Sequence, residues 1–502
     1  MKLDFFEEPN LLFNYEQGLP DPRDGLTLFG PLDEGKVHGI RAGVIGTAEG
    51  IRRFREYVAK LQSPVFSASL HRNRPPFPGF QAVFGIPWEV QPVLEIPLDA
   101  KILEAKTRTK DRYLRVYDTV ALFYDEIIAA GSKEDERVDI WFVIATDDIY
   151  RFCRPQSYVP TAEAVPDERS IGRKEAQRLS TEPSLFADDN EKAIPYAQDP
   201  DFHNQLKARL LEHRIPTQLL RESTIAWREF VDESGKPLAD LSILESEIAW
   251  NISSAAFYKA GGRPWKLRAI RPGVCYIGIV FKRDMQNRDP RTACCAAQMF
   301  LDSGDGVVFK GDVGPWYNPE HNTFHLLRDS AERLVALAIK AYREKNDATP
   351  PSQLFIHGKT RFNEEEMAGF KTAGGQSTQV IAVRITNEAD LRIFRTGRDP
   401  VMRGMAWRSE PNIGYLWTRG YIPRLQTYPG REVPRPLRIE VSHGEADLEV
   451  VLRDVLALTK LNYNACHFGD GQPVTLRFAD AVGEILAAGN AASPPLPFKF
   501  YI

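Results

Sequence analysis

The pattern of hydrophobic and polar positions predicts helices and buried strands in alternation. Apolar residues recur every three or four positions over 44–62, a helix that Thr47 would begin, and over 113–130. The runs VDIWFVIA at 138–145 and GVCYIGIVFK at 273–282 are rich in β-branched and aromatic residues, which is typical of buried strands. This alternation indicates an α/β protein.

The middle of the chain combines a polar stretch with a further helix, strand and helix. Residues 161–200 are rich in Pro, Asp, Glu and Ser and show little periodicity, so we expect an extended surface loop there. A helix follows, then a strand at 216–220 and a helix at 241–258. The glycine pair at 261–262 would stop this last helix, because glycine tolerates the left-handed conformation.

The second half predicts a β-meander followed by alternating helices and strands. Residues 293–309 would form its second strand, with a hairpin at DSGDG, 302–306. Later elements are predicted as helices at 328–344, 364–372, 447–460 and 482–488, and as strands at 353–357 and 379–385. A sheet built in this way resembles the fold of ribonuclease H.

Length and composition favour a soluble protein of several domains. A chain of 502 residues is too long for one ordinary core, and we divide it into an N-terminal segment, 1–100, that packs on the last domain, and two domains, 101–265 and 266–502. No apolar run approaches the roughly 18 residues of a membrane-spanning helix, so we expect a cytoplasmic protein without a membrane partner. The five cysteines form no CxxC pair, which argues against a zinc site and a disulfide framework.

Charge is unevenly distributed, although the formal net charge is only −4. Residues 257–284 hold seven Lys or Arg against one acid, whereas residues 161–200 hold nine acids against five Lys or Arg. A basic seam in a mildly acidic protein can bind a polyanion locally. A solvated charged surface would have the same composition.

Four polar residues have a spacing that permits a phosphate site. His203 and Lys207 are four residues apart and share one helix face. Gln218 follows a helix break at Pro216, and Lys259 ends the helix at 241–258. Cations and an amide at one point would suit a phosphate, although unrelated polar residues on two surface helices would look the same.

Other chemistries have weaker support in the sequence. No GxSxG nucleophile elbow is present, so histidines such as His443 and His467 have no obvious catalytic partner. A two-metal nuclease needs carboxylates on neighbouring strands, but the central strand carries Val280 and the later strand carries His357 and Gly358. The acids that follow the central strand have glycine neighbours that favour turns: Asp284, Asp302, Asp305 and Asp312.

Several long motifs, in one order over nearly the whole chain, resemble a short prokaryotic Argonaute with a MID and a PIWI domain. They are FHNQLKARLLEHRIPTQLLREST, NISSAAFYKAGGRPWKL, RPGVCYIGIVF, ALTKLNYNACHFGDGQPVTLRFAD and FKFYI. The segments DPRDGLTLFGPL and CCAAQMFLDSGDG are closest to Argonaute subunits that pair with a TIR-APAZ protein. The resemblance implies an α/β fold, with a Rossmann-like MID domain followed by a ribonuclease H-like PIWI domain.

The resemblance also implies a pocket for the 5′-phosphate of a guide strand. The matching positions are His203, which stands where tyrosine is commoner, Lys207, Gln218 and Lys259, with Thr217 and Arg221 flanking the pocket. The C-terminal carboxylate, here that of Ile502, is implied to help bind a Mg²⁺ ion that bridges the first and third guide phosphates.

By the same resemblance the PIWI domain is an inactive nuclease. Slicing Argonautes place acids where this chain has Val280 and His357 or Gly358, so the domain would bind a guide–target duplex through the basic seam without cutting it. The implied function is to bind a guide RNA, recognise complementary single-stranded DNA, and activate NAD(P) hydrolysis by a TIR-APAZ partner. The implied assembly is a heterodimer that oligomerises on activation, in defence against plasmids or phage.

Three alternatives stay open on the sequence. The chain could be an active guide-directed nuclease that uses displaced carboxylates such as Asp284 or Asp302. Its partner could be a sirtuin-APAZ protein in place of TIR-APAZ. It could also be a sugar-phosphate or nucleotide enzyme on an α/β scaffold, which would bind a small molecule that oligonucleotides do not displace.

Overall fold

The computed structural model describes residues 2–69, 71–131, 137–268, 271–283, 291–300, 306–428, 430–488 and 496–502. Within these ranges the strands are β1 (Leu3–Phe5), β2 (Leu11–Leu12), β3 (Gly18–Leu19), β4 (Ala42–Thr47), β5 (Leu94–Leu98), β6 (Ile140–Ala145), β7 (Thr217–Arg221), β8 (Lys266–Leu267), β9 (Val274–Arg283), β10 (Ala293–Phe300), β11 (Gly306–Gly314), β12 (Tyr317–Asn318), β13 (Thr323–Phe324), β14 (Gln353–Gly358), β15 (Gln379–Asn387), β16 (Met405–Glu410), β17 (Ile413–Leu416), β18 (Leu437–His443) and β19 (Leu496–Pro497).

The α-helices in the same ranges lie between and beside these strands. They are α1 (Pro22–Phe29), α2 (Ala48–Leu61), α3 (Phe80–Phe84), α4 (Ala100–Thr107), α5 (Arg112–Gly131), α6 (Asp147–Phe152), α7 (Arg173–Thr181), α8 (Ala187–Ala193), α9 (Phe202–Leu211), α10 (Glu222–Ile225), α11 (Glu245–Lys259), α12 (Arg328–Lys345), α13 (Glu364–Gly374), α14 (Leu448–Leu458), α15 (Val474–Arg477) and α16 (Ala479–Ala488).

The first layer is a four-stranded parallel sheet in the order β5-β4-β6-β7. Alternate residues of β6 point to opposite sides of the sheet, and residues on both sides are buried. Phe142 packs in the core with α2, whereas Trp141 and Val143 pack in the core with α5 and α9. A sheet covered on both faces explains why β6 reads as one continuous apolar run.

Two predictions about the first layer need correction. Residues 44–47 belong to β4, and the helix begins only at Ala48, with Thr47 Oγ accepting from Gly50 N at 3.0 Å. A buried strand of small and β-branched residues precedes the helix directly, so the two apolar patterns run together. The predicted division at residue 100 also runs through this layer, because β4 and β5 share the sheet with β6 and β7.

The predicted surface loop at 161–200 is wrong, because it contains α7 and α8. These short helices bury a small core of their own, made by Tyr113, Ala176, Leu179, Ala193 and Tyr196. Four of these residues lie in the charged segment 161–200, and four apolar positions spread over 21 residues give too little periodicity to predict the helices.

The second layer is a ten-stranded sheet in the order β1-β16-β17-β18-β15-β14-β9-β10-β11-β19. Strands β9, β10 and β11 form an antiparallel meander, and β14 lies parallel to both β9 and β15, as the ribonuclease H-like pattern predicts. The predicted strand at 293–309 is therefore two strands. Of the predicted hairpin at 302–306, residues 302–305 lie outside the described residues, and Gly306 begins β11.

The helices cover both faces of this sheet. Ile277 and Ile279 of β9 share a core with α12 and α13, while Tyr276 packs in the core that contains α14 and α16. That second core also includes Phe142 of β6 in the first layer and Trp250 of α11. The two layers therefore share one continuous apolar core.

Both ends of the described chain join the second layer. At the start, β1 pairs with β16, and Glu8 is ion-paired to Arg403 at 2.9 Å and to Lys460 at 3.0 Å. At the end, β19 pairs with β11, and the chain then reaches α9 at Ile502. Through this last contact, the segment that follows β19 of the second layer reaches α9, which packs on the first layer.

Candidate phosphate-binding site

Two buried lysines meet at the junction of the two layers. Lys207 lies on α9, one turn before its end, and Lys259 is the last residue of α11. Both ammonium groups donate to the main-chain oxygen of Thr217, at 3.3 Å and 3.1 Å. The start of β7 thus brings the two cations together.

Two further oxygens complete what we call the lysine pocket, formed by Lys207, Thr217, Gln218, Lys259 and Ile502. Gln218 Oε1 accepts from Lys259 Nζ at 2.6 Å. The main-chain oxygen of Ile502 accepts from Lys207 Nζ, also at 2.6 Å. Four of the residues predicted from the sequence therefore converge with Ile502, which comes from the far end of the chain.

His203 borders the pocket on the same face of α9 as Lys207. Burial lowers the pKa of His203 to about 3, and the positive charges of Lys207 and Lys259 act in the same direction. Its ring nitrogen Nδ1 lies 3.4 Å from Asn204 Oδ1. The imidazole is therefore neutral at physiological pH and can offer a hydrogen bond but no charge.

Burial disfavours the charged form of both lysines in the pocket. Burial lowers the pKa of Lys207 to about 7, and burial together with the charge of Lys207 holds the pKa of Lys259 well below its ordinary value. Among the described residues, neither ammonium group is ion-paired to a carboxylate side chain. An isolated buried cation is unfavourable, so the arrangement gains most from an anion that both lysines can contact.

Arg221, predicted to flank the pocket, lies at the opposite end of β7 from Thr217. Its Nε donates to Asp147 at 2.6 Å, and its guanidinium stacks over Tyr150 at 4.1 Å. Among the described contacts of Arg221, none joins it to a residue of the lysine pocket. Thr217 does contribute, but through its main-chain oxygen.

Oxygen atoms of the pocket have the chemistry that Mg²⁺ prefers. The main-chain oxygen of Ile502 and the amide oxygen of Gln218 are hard ligands of the kind that bind Mg²⁺ alongside phosphate oxygens. In this structure each accepts from a lysine, so a metal would have to replace those hydrogen bonds.

Lys499 lies beside the pocket, and no pattern in the sequence predicted it there. Lys499 Nζ donates to the main-chain oxygen of Lys259 at 3.4 Å. Neither helical spacing nor strand alternation relates these residues, which are 240 positions apart. Only the path of the terminal segment brings them together.

The positions that would carry nuclease acids lie in the large sheet and hold none. Val280 is on β9, and His357 is on β14 opposite Gly278. His357 is buried, which lowers its pKa to about 3, and its Nδ1 lies 2.9 Å from Thr475 Oγ. Gly358 and Val280 line a cleft of about 340 Å³ together with Phe281, Phe324, Lys359 and Thr360.

The described residues contain no group of three or more His, Cys, Asp or Glu that could hold a metal ion. Asp312 is ion-paired to Arg333 at 2.6 Å. Asp284, Asp302 and Asp305 lie outside the ranges that the structure describes.

The predicted basic seam is less continuous than its sequence suggested. Arg263 is ion-paired to Asp33, Arg271 to Asp454 and Lys282 to Glu484. Lys259 is buried in the lysine pocket. Surface ion pairs of this kind leave a smaller net charge for a polyanion than the count of basic residues implies.

Within the described ranges, no helix is both long and apolar enough to span a membrane.

The chain is similar to known Argonaute proteins in sequence and in fold. The sequence is 22% identical over 312 residues to Protein argonaute of Aquifex aeolicus (strain VF5), a match that covers 61% of this chain and 38% of that protein. No sequence profile of a protein family matches the chain.

Solved structures agree with the sequence match. The Clostridium butyricum Argonaute bound to a guide DNA and a 19-mer target DNA superposes with a TM-score of 0.63 at 14% identity, covering 100% of this chain and 55% of that one. Drosophila Piwi gives 0.59 at 14% identity, covering 100% and 56%. The A. aeolicus Argonaute with externally bound siRNA gives 0.55 at 15% identity, also covering 100% and 56%.

The fold is thus the MID–PIWI architecture of Argonaute and Piwi structures. In sequence, the chain is similar to Protein argonaute of A. aeolicus over 61% of its length. It spans 38% of the length of the A. aeolicus relative and 55% of the C. butyricum structure.

Proposed function

We propose that the chain is a short Argonaute whose lysine pocket anchors the 5′-phosphate of a guide strand. The observation that carries this proposal is the pair of buried lysines, which share Thr217 O and, within the ranges that the structure describes, are not ion-paired to a carboxylate side chain. A terminal phosphate carries close to two negative charges and several acceptor oxygens. It can therefore satisfy both ammonium groups at once, which an internal phosphodiester with one charge does less well.

The guide is proposed to be RNA, and the target complementary single-stranded DNA. The C. butyricum Argonaute, to which this fold is similar, was solved with a guide and a target strand. The choice of RNA for the guide rests on the resemblance of the sequence to TIR-APAZ-associated Argonautes. A Mg²⁺ ion held by Ile502 and guide phosphates would add to the anchor.

The second layer, which would correspond to a PIWI domain, is proposed to bind the guide–target duplex without cutting it. Val280 and Gly358 line the cleft of the large sheet and offer no metal ligand, and a two-metal mechanism needs several carboxylates there. Lys359 and Thr360 at the same cleft can contact phosphates instead.

Target binding is proposed to activate a separate subunit, a TIR-APAZ protein that hydrolyses NAD(P) in defence against plasmids or phage. This chain would then supply a binding free energy that differs between the resting heterodimer and an activated oligomer. The proposal rests on the motifs shared with TIR-APAZ-associated Argonautes.

One experiment tests the guide and target steps together. The protein is loaded with a 5′-phosphorylated RNA, then mixed with labelled complementary DNA and Mg²⁺ or Mn²⁺. We expect a stable ternary complex and intact target. Cleaved target would show an active nuclease, and failure to retain complementary over non-complementary DNA would contradict guided recognition.

A second experiment tests the partner. The chain is co-expressed with the product of its neighbouring gene, and NAD⁺ consumption is followed with and without guide and target. Consumption that requires both strands supports the proposal. A sirtuin-type partner, or consumption that is independent of target, would contradict it.

A further inference from the structure

A cavity of about 170 Å³ lies beside the first layer, apart from the lysine pocket. Its walls come from α2, from α10 and the turn that follows it, and from the start of α11. We call it the tyrosine cavity and define it by Tyr57, Lys60, Ile225, Trp227, Glu245 and Ile248. Glu245 begins α11 and Lys259 ends it, so about 21 Å of helix separates this cavity from the lysine pocket.

The hydroxyl group of Tyr57 has no hydrogen-bond partner within the part of the chain that the structure describes. Tyr57 is only 6% exposed, so bulk water does not replace the missing partner. Leaving a buried polar group unpaired is unfavourable. Burial raises the pKa of this hydroxyl, and the nearby charge of Glu245 raises it further. The hydroxyl therefore stays protonated and can both donate and accept a hydrogen bond.

Glu245, beside Tyr57, uses one carboxylate oxygen and leaves the other open. Its Oε1 accepts from three donors, which are Lys60 Nζ at 3.0 Å, Trp227 Nε1 at 3.0 Å and an Arg228 nitrogen at 2.5 Å. Within the described ranges, no hydrogen bond involves Oε2 of this residue. A free carboxylate oxygen next to a hydroxyl oxygen gives two acceptors, a combination that suits an ammonium group.

The rest of the cavity can bind a carboxylate and an apolar group. Lys60 and Arg228 are partly exposed at the rim, and each keeps donors that its contact with Glu245 does not use. Ile225 and Trp227 are buried and give the cavity an apolar wall. Because a cavity of about 150 Å³ holds a molecule of the size of benzene, one aliphatic side chain fits here and an oligonucleotide does not.

We propose that the tyrosine cavity binds a free α-amino acid with an apolar side chain. The ammonium group of the ligand would donate to Glu245 Oε2 and to the oxygen of Tyr57. Its carboxylate would accept from Lys60 and Arg228, and its side chain would pack on the apolar wall. A zwitterion matches this cavity better than a simple anion or cation does, because charges of both signs line it. This binding goes beyond the proposed guide recognition and does not depend on it.

The test is titration calorimetry of the protein without nucleic acid, with L-leucine as the probe. Two analogues remove one charge each, since isoamylamine lacks the carboxylate and 4-methylpentanoate lacks the ammonium group. We expect saturable binding of L-leucine and an affinity for either analogue that is about tenfold lower or less, because each loses charge-assisted hydrogen bonds. Absence of saturable L-leucine binding, which is the result expected if the cavity holds only water, would overturn the inference. Equal binding of either analogue would also overturn it.

Variants locate the binding in the cavity. Tyr57→Phe removes the hydroxyl but keeps the ring that packs in the core, so the free protein should be no less stable while its affinity for L-leucine falls about tenfold. Glu245→Gln should also weaken binding, because the ammonium group loses its charged partner. The exposed Tyr158→Phe is the matched control and should change neither property. Unchanged affinity of Tyr57→Phe would overturn this inference and leave the proposed guide binding untouched, since no guide is present.

Discussion

Lys207 and Lys259 share one acceptor, the main-chain oxygen of Thr217, and so stay close enough to repel each other. Burial makes the charged form of each costly, because little solvent remains to stabilise an ammonium group. A bound phosphate changes this balance, since it favours the charged form of both lysines. Ligand binding and proton uptake are therefore coupled in the lysine pocket.

This coupling predicts a pH dependence of guide binding. The pKa of Lys207 is about 7 without a ligand and must rise when a phosphate binds. Above pH 7 the protein takes up a proton on binding, so the affinity for a 5′-phosphorylated guide should fall as pH rises, by up to about tenfold per pH unit for each coupled lysine. The terminal phosphate is already a dianion there, because its second pKa is about 6.

The measurement is the dissociation constant of 5′-phosphorylated and 5′-hydroxyl guides between pH 7 and pH 9. The ratio of the two affinities should shrink as pH rises. A constant ratio over this range would show that the lysines do not change protonation on binding.

Part of the lysine pocket, and His203 at its border, could be predicted from local patterns. Helical spacing places His203 and Lys207 on one face, and the end of a helix places Lys259. The contacts of Ile502 and Lys499 could not be predicted in this way, because they depend on how the last strand of the large sheet directs the terminal segment. Position along β7, rather than residue type, separates Arg221 from the pocket.

At the scale of elements, α15 approaches β9 at Gly278 more closely than any side chain would allow. A Cβ atom on Gly278 would lie 1.8 Å from the main-chain oxygen of Thr475. The same helix provides the hydroxyl that contacts His357. Gly278 on β9 and His357 on β14 thus both contact Thr475 of α15.

Gly278→Ala should therefore destabilise the large sheet. The added methyl group meets main chain, which cannot rotate away, so α15 must shift, and we expect a loss of about 3 kcal/mol or more in the free energy of unfolding. Gly131→Ala is the matched control, because no heavy atom lies within 4 Å of a Cβ there. Denaturant unfolding of both variants is the measurement, and equal stability would contradict the close approach.

Strong apolar runs and long amphipathic helices were predictable, as β6, β9, α5 and α12 show. Elements with weak patterns were not. Strands β16 to β18 were not predicted, and α7 and α8 were assigned to a loop because they are short and charged. Tertiary contacts, rather than local preference, stabilise such elements.

At the scale of the whole molecule, the N-terminal segment is tied to the large sheet by a buried ion cluster. Burial alone would raise the pKa of Glu8, but the charges of Arg403 and Lys460 hold it below its ordinary value. Both basic residues are almost fully buried. The carboxylate of Glu8 therefore stabilises the buried charges of Arg403 and Lys460.

Glu8→Ala should lower the free energy of unfolding by about 3 to 5 kcal/mol, because it leaves buried charges unpaired. The neighbouring exposed Glu7→Ala should change it by less than about 0.5 kcal/mol. Thermal unfolding without nucleic acid measures both. A small effect of Glu8→Ala would mean that the N-terminal segment contributes little to the stability of the fold.

The lysine pocket lies at the junction of the two layers, because α9, β7 and α11 pack in the first layer and Ile502 follows the last strand of the second. A guide anchored there would contact both layers at once. The proposed activation of a partner subunit requires such a link between guide binding and both layers.

The most direct test of the central claim compares Lys207→Ala with the unmodified protein on two guides that differ only in the 5′-phosphate. Charge-assisted hydrogen bonds contribute about 1.5 to 3 kcal/mol each, so the variant should lose roughly 10- to 100-fold in affinity for the 5′-phosphorylated guide and far less for the 5′-hydroxyl guide. Equal losses for both guides would contradict the assignment of the lysine pocket to the guide 5′-phosphate.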